Sequence, residues 1–155
     1  MNDYAKPLPD PHAPATAAFW QATRASQLVV RKCANCGYLR WPPGPACPEC
    51  LSPDGAWTPV RTSGTLLTYC VYRRAFSKAF AADVPYAVGY VQLDDGPRLY
   101  GTMVGELDAL EVGRPVSAVF DPVTPEVTLV HWAISPSADP DRVAGDQKEE
   151  SVTRS

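Results

Sequence analysis

Long apolar runs are missing from this 155-residue chain, although 45% of its residues are hydrophobic. No segment approaches the about 18 consecutive apolar residues of a membrane-spanning helix. The opening MNDYAKPLPDPHAPATAA is polar and proline-rich and has no signal-peptide pattern, so a soluble cytoplasmic protein is the expectation. Histidine is scarce, limited to His12 and His131. No Ser/His/Asp or Cys/His arrangement is readable, no glycine-rich phosphate loop occurs, and no close carboxylate pair lies outside turns. These absences argue against a catalyst acting alone. Cysteine is sparse too, and its five copies are not spread as in a secreted disulfide scaffold.

Four of the five cysteines fall in the pattern C-x2-C-x10-C-x2-C, at Cys33, Cys36, Cys47 and Cys50. Two intervening residues let both thiolates of a pair reach one ion from a tight turn, and the ten-residue loop returns the second pair. Tetrahedral Zn(II) takes four such ligands at about 2.3 Å. Gly37 stands where a knuckle turn needs positive φ, and Pro48 stiffens the second turn. An all-cysteine shell has no open position for water, so the metal is expected to be structural. Iron in a rubredoxin-like site is the rival, since S4 geometry serves both metals; a following β-barrel favours zinc. Cys70, between Tyr69 and Val71, reads as a small buried hydrophobe. His131, beside Trp132, reads as a structural residue.

Around the cysteine module the chain divides into an arm and helix over 1–28, a zinc ribbon over 29–59, a barrel over 60–134 and a disordered tail over 135–155. The tail SPSADPDRVAGDQKEESVTRS is too polar to offset its ordering entropy. Thr16 to Leu28 lacks Gly and Pro and favours a short helix with Phe19, Trp20 and Thr23 along one side. Such a helix is marginal in water, so Phe19 and Trp20 must pack on this chain or on another subunit. Five stretches have strand character, about 60–73, 85–94, 97–105, 115–121 and 127–133. Asp94-Asp95-Gly96-Pro97 marks a hairpin. A small ribbon followed by five short strands is mainly β, with an OB-type Greek-key barrel as the expected fold and a small open β-sandwich as the fallback.

The charge is unevenly laid out. Residues 24–78 carry eight basic residues against two acids, whereas residues 79–134 carry two against eight. The densest cations lie in Tyr72-Arg73-Arg74-Ala75-Phe76-Ser77-Lys78-Ala79-Phe80, running to Val84-Pro85-Tyr86. A long loop of this make-up can hold phosphates by charge and a flat ring by stacking. Alternatively, Phe76, Phe80 and Tyr86 close the barrel end while the cations are solvated. An OB barrel with a basic front half also permits nucleic-acid binding, against which the pI of 5.3 and the acidic barrel strands weigh.

The ordered set of these features resembles the family of zinc-ribbon proteins with a C-terminal OB-fold, formerly a domain of unknown function. The likeness runs from about Phe19 to Trp132. It includes the Phe-Trp of the helix, LVVRKCANCGYLRWPPGPACPEC, Trp57, GTLLTY with its basic YRRAF, DVPY, GPRLYGTMVG and VGRPVSAVF. The resemblance implies a small non-catalytic partner subunit of a thiolase-like, aldolase-like or hydratase enzyme acting on acyl-CoA. It makes Arg73, Arg74, Lys78 and Phe80 candidates for CoA contact, and Phe19 and Trp20 candidates for the partner interface.

Overall fold

The computed structural model describes residues 4–136, so the tail expected to be disordered lies almost entirely outside the described residues. The order of elements is α1 (Ala17–Arg24), β1 (Leu28–Cys33), β2 (Leu39–Arg40), β3 (Gly55–Val60), β4 (Ser63–Tyr72), β5 (Tyr86–Leu93), β6 (Arg98–Val104), β7 (Pro115–Pro122) and β8 (Thr128–Ile134). Short 3-10 turns occupy Lys78–Phe80 and Leu107–Ala109.

Helix α1 stops earlier than its composition predicts. Ser26 takes φ +55°, its N–H donates to the Thr23 carbonyl at 2.9 Å, and the Gln27 N–H donates to the Ala22 carbonyl at 3.0 Å. That is a Schellman cap made without glycine. It frees Leu28 to start a strand. Along the helix, Phe19 is 3% exposed and Thr23 is buried, with the Thr23 hydroxyl donating to the Trp20 carbonyl at 3.0 Å. Trp20 is half-buried.

The ribbon is a three-stranded antiparallel sheet in the order β2-β1-β3. Trp57 lies within its third strand, opposite Arg31, whose guanidinium sits 5.9 Å from the indole centre. The remaining strands close into a barrel, β4-β5-β6-β8-β7, antiparallel except where β6 meets β8. Asp94-Asp95-Gly96 turns β5 into β6 as expected, with Gly96 at φ +125°.

One buried cluster joins both parts. Phe19, Leu28 and Val29 from the front of the chain pack with Leu66, Val91, Leu99, Met103, Val116 and Trp132 of the barrel. Phe19 lies 4.1 Å from Trp41, and Trp41 lies 6.5 Å from Trp57, so aromatic rings fill the join between helix, ribbon and barrel.

The barrel corrects one expectation. In β4 the inward positions are Gly64 and Leu66 and then, beyond a register shift between Leu66 and Thr68, Tyr69 and Val71. The extra residue reverses the inside–outside alternation. Cys70 is therefore exposed on the outer face, not buried. An unbroken alternation from Leu66 would have turned it inward.

Candidate metal centre and ligand surface

Both cysteine pairs are built on the same backbone plan. In the first, the Gly37 N–H donates to the Cys33 carbonyl at 3.1 Å and the Cys33 N–H donates to the Tyr38 carbonyl at 2.9 Å. In the second, Leu51 donates to Cys47 at 2.9 Å and Cys47 to Ser52 at 2.9 Å. The fifth residue of each knuckle is left-handed, Gly37 at φ +75° and Leu51 at φ +61°. The spacing and Gly37 announce this for the first knuckle; nothing in the letter Leu51 does so for the second.

The four sulfurs converge. Cys33 Sγ is 3.6 Å from Cys50 Sγ, Cys36 Sγ is 3.6 Å from Cys47 Sγ, and all four lie within 4.8 Å of one another. None is in a disulfide. A tetrahedron with Zn–S bonds of about 2.3 Å has edges of roughly 3.8 Å, so the thiols fit the ion. Their acidities fit it too. The Cys36 backbone N–H is the main influence drawing the Cys33 thiol down to about 6, against the opposing pull of burial. For Cys36, the Tyr38 backbone N–H lowers the thiol, but burial and the sulfurs of Cys50, Cys47 and Cys33 outweigh it and push it up to about 12. A divalent cation among the sulfurs removes that conflict by neutralising them. Cys33, Cys36, Cys47 and Cys50 would hold a structural Zn(II) in a closed shell, and the ion would brace the ribbon.

Beyond β4 the loop of residues 73–85 presents Arg73, Arg74 and Lys78 to solvent, and none of the three forms an ion pair among the described residues. Phe80 stacks on Tyr86 at 5.8 Å, and Tyr86 stacks on Tyr72 at 5.0 Å with an interplanar angle of 9°. Phe76 is 84% exposed and meets the Tyr72 ring edge-on at 6.4 Å. Of the three rings expected to close the barrel end, Phe80 and Tyr86 stack on each other and Phe76 leans on Tyr72. The N-terminal arm adds an unforeseen cation: Lys6 Nζ lies 2.8 Å from Asp83 and 5.5 Å from the Phe80 ring centre. The hydrogen bond with Asp83 chiefly raises the Lys6 amine.

The outer face of β4-β5-β6 continues this aromatic surface. Tyr90 stacks on Tyr100 at 4.1 Å, and Tyr100 is 70% exposed. The register pairs Tyr72 with Tyr86, Cys70 with Val88, Thr68 with Tyr90 and Tyr90 with Tyr100. Strand alternation carries this information in principle, but the bulge after Leu66 hides which β4 residues join the row. His131 is half-buried, with Nε2 3.4 Å from Asp121 and Nδ1 buried without a hydrogen-bond partner among the described residues.

Helix, four-cysteine ribbon and five-stranded barrel define a zinc-ribbon protein with an appended OB-fold. Models of the ChsH2 rubredoxin-like zinc ribbon domain and the ChsH2 C-terminal OB-fold domain match residues 20–54 and 57–121. A chain of the Ltp2-ChsH2(DUF35) aldolase superposes with a TM-score of 0.72 at 33% identity, covering 83% of this chain and 98% of that one. The protein belongs to this DUF35, or ChsH2-type, family of zinc-ribbon/OB-fold proteins. A protein of Methanocaldococcus jannaschii described as a DUF35 domain-containing scaffold protein is 30% identical over 96 residues, 60% of this chain and 67% of that protein. One of Thermomonospora curvata described as a probable enoyl-CoA hydratase alpha subunit is 40% identical over 116 residues, 72% of this chain. The chain spans about a third of the latter's length, 35%. Among the described residues no helix is long and apolar enough to cross a membrane.

Proposed function

We propose that the protein is a non-catalytic accessory subunit that binds acyl-CoA and forms a complex with a thiolase-like, aldolase-like or hydratase enzyme. The observation that carries this reading is the match along 98% of a chain of the Ltp2-ChsH2(DUF35) aldolase, at 33% identity. The hydratase-subunit and scaffold descriptions of other relatives agree with it.

The surface chemistry supports the division of labour. Arg73, Arg74 and Lys78 are exposed cations suited to phosphates, and Phe80 lies in an aromatic stack beside them. A pantetheine arm can run along the adjoining row of Tyr72, Tyr86 and Tyr90. Phe19 is used by the chain's own core, so the partner contact is assigned to Trp20, half-exposed on the helix surface, with Phe19 fixing its position from behind at 5.0 Å. The reacting groups that this chain lacks would come from the larger subunit.

Co-purification of the full chain from its native source, with identification of what elutes with it, tests the reading. A stoichiometric acyl-CoA enzyme is the expected companion. The chain alone should turn over no acyl-CoA, and the Arg73→Gln/Arg74→Gln protein should bind acyl-CoA more weakly. Turnover by the chain alone would sink the proposal.

A further inference from the structure

A second cation-bearing site lies at the opposite end of the aromatic row, where ribbon and barrel meet. Here a crevice of about 620 Å³ is lined by Tyr38, Arg40 and Trp41 from the ribbon and by Tyr90, Gln92 and Arg98 from the barrel. Arg40 is only 5% exposed, yet its Nε and Nη1 atoms are buried with no hydrogen-bond partner. Among the described residues its hydrogen bond is a long one, from Nη2 to the Gly44 carbonyl at 3.4 Å. No carboxylate pairs with it among the described residues. A buried guanidinium with two nitrogens unpartnered is costly, and protein interiors accept such a charge when a counter-anion meets it.

The barrel side of the crevice offers a second cation already in place. Arg98 Nε donates to the Gln92 side-chain oxygen at 2.8 Å, and the Gln92 amide is in turn anchored on the Gly96 carbonyl. That arrangement fixes the Arg98 side chain and leaves its terminal nitrogens available. Two arginines lining one crevice suit an anion with several oxygens, because a guanidinium fork binds an oxygen pair. The volume exceeds that of one carboxylate and falls within the range of small-molecule sites.

We propose that this ribbon–barrel crevice is an oxyanion-binding site for a phosphate or diphosphate group, with Arg40 as its buried anchor and Arg98 as its second donor. The group is either free or carried on a small organic molecule, for which Tyr38, Trp41 and Tyr90 provide flat apolar walls. The site is separate from the loop of residues 73–85, so its failure would leave the acyl-CoA reading intact, and the reverse also holds.

Titration of the zinc-loaded full chain with inorganic pyrophosphate, with a nucleoside diphosphate and with acetate, followed by calorimetry and by intrinsic tryptophan fluorescence, tests the assignment. Saturable binding of pyrophosphate is expected, weakened about tenfold or more in Arg40→Met and several-fold in Arg98→Gln, with Arg114→Gln unchanged. Tighter binding of the nucleoside diphosphate identifies an organic carrier; equal binding identifies the free anion. Arg40→Met removes an uncompensated buried charge, so without added anion its thermal midpoint should match or exceed the parent's. If Arg40→Met fails to fold, Arg98→Gln alone still reads the site. The proposal is overturned by no saturable binding up to about 10 mM. It is equally overturned by undiminished binding in both arginine variants, or by acetate binding as tightly as pyrophosphate.

Discussion

Leu51 holds an unusual position for a leucine: left-handed at φ +61° and 78% exposed. A side chain with a Cβ costs roughly 1–2 kcal/mol in that conformation, and so exposed a side chain recovers little of it by burial. Its counterpart in the first knuckle is glycine. Leu51→Gly should stabilise the zinc-loaded protein by about 0.5–1 kcal/mol, the relieved strain less the added freedom of glycine in the unfolded chain. Urea unfolding measures this. Gly101 shows the opposite constraint. A Cβ there would lie 2.7 Å from Cδ1 of the fully buried Trp132 and 2.9 Å from the Val130 carbonyl. Neither neighbour is a flexible chain end, so Gly101→Ala should cost about 1–3 kcal/mol by overpacking, read in the same titration.

At the scale of elements, the link from ribbon to barrel is clipped twice to the β5–β6 turn. Arg61 donates its backbone N–H and its guanidinium to Asp95, and the Ser63 hydroxyl donates to Asp94 at 2.5 Å. The Arg61 side chain, followed by its backbone N–H, holds the Asp95 carboxyl below its ordinary range. Because the folded value lies below the unfolded one, this contribution is present above about pH 4 and is lost as pH falls through the folded value. Asp95→Asn should therefore lose a small amount of stability at neutral pH and less at pH 2. Thermal unfolding across that range checks it; an equal deficit at both pH values would refute the linkage.

The elements themselves were largely legible in the sequence. All five barrel strands fall within a few residues of their expected bounds, because alternation and the Asp-Asp-Gly-Pro turn are local signals. The cysteine spacing likewise reads directly as convergent sulfurs. What escaped depends on backbone events with no letter of their own. A Schellman cap on Ser26 ends the helix before Leu28, and a bulge after Leu66 turns Cys70 outward. Arg40 escaped for another reason: its burial is created by the ribbon and barrel together, which no local pattern encodes.

At the scale of the whole molecule, the metal centre and the barrel are joined by one core but stand on different supports. Phe19, Leu28 and Val29 belong to the same buried cluster as the barrel residues, whereas Cys33 and Cys47 are buried at the far end of β1 and in the loop. Structural zinc binding is worth about 10–16 kcal/mol in small modules, comparable with the about 5–15 kcal/mol that holds a whole domain folded. The small ribbon sheet β2-β1-β3 cannot replace that from its own contacts. The barrel strands supply most of the shared core, with Leu66, Val91, Leu99, Val116 and Trp132 between them. Cys47→Ser should therefore lose the metal and melt β1–β3 while β4–β8 keep most of their protection, as amide hydrogen exchange would report. If the proposed enzyme partner is held through the helix and ribbon, its capture should vanish in the same variant, since Phe19, which backs Trp20, packs on Trp41 of the ribbon. A Cys47→Ser protein that retained zinc, ribbon protection and partner would break the link between the metal and the assembly.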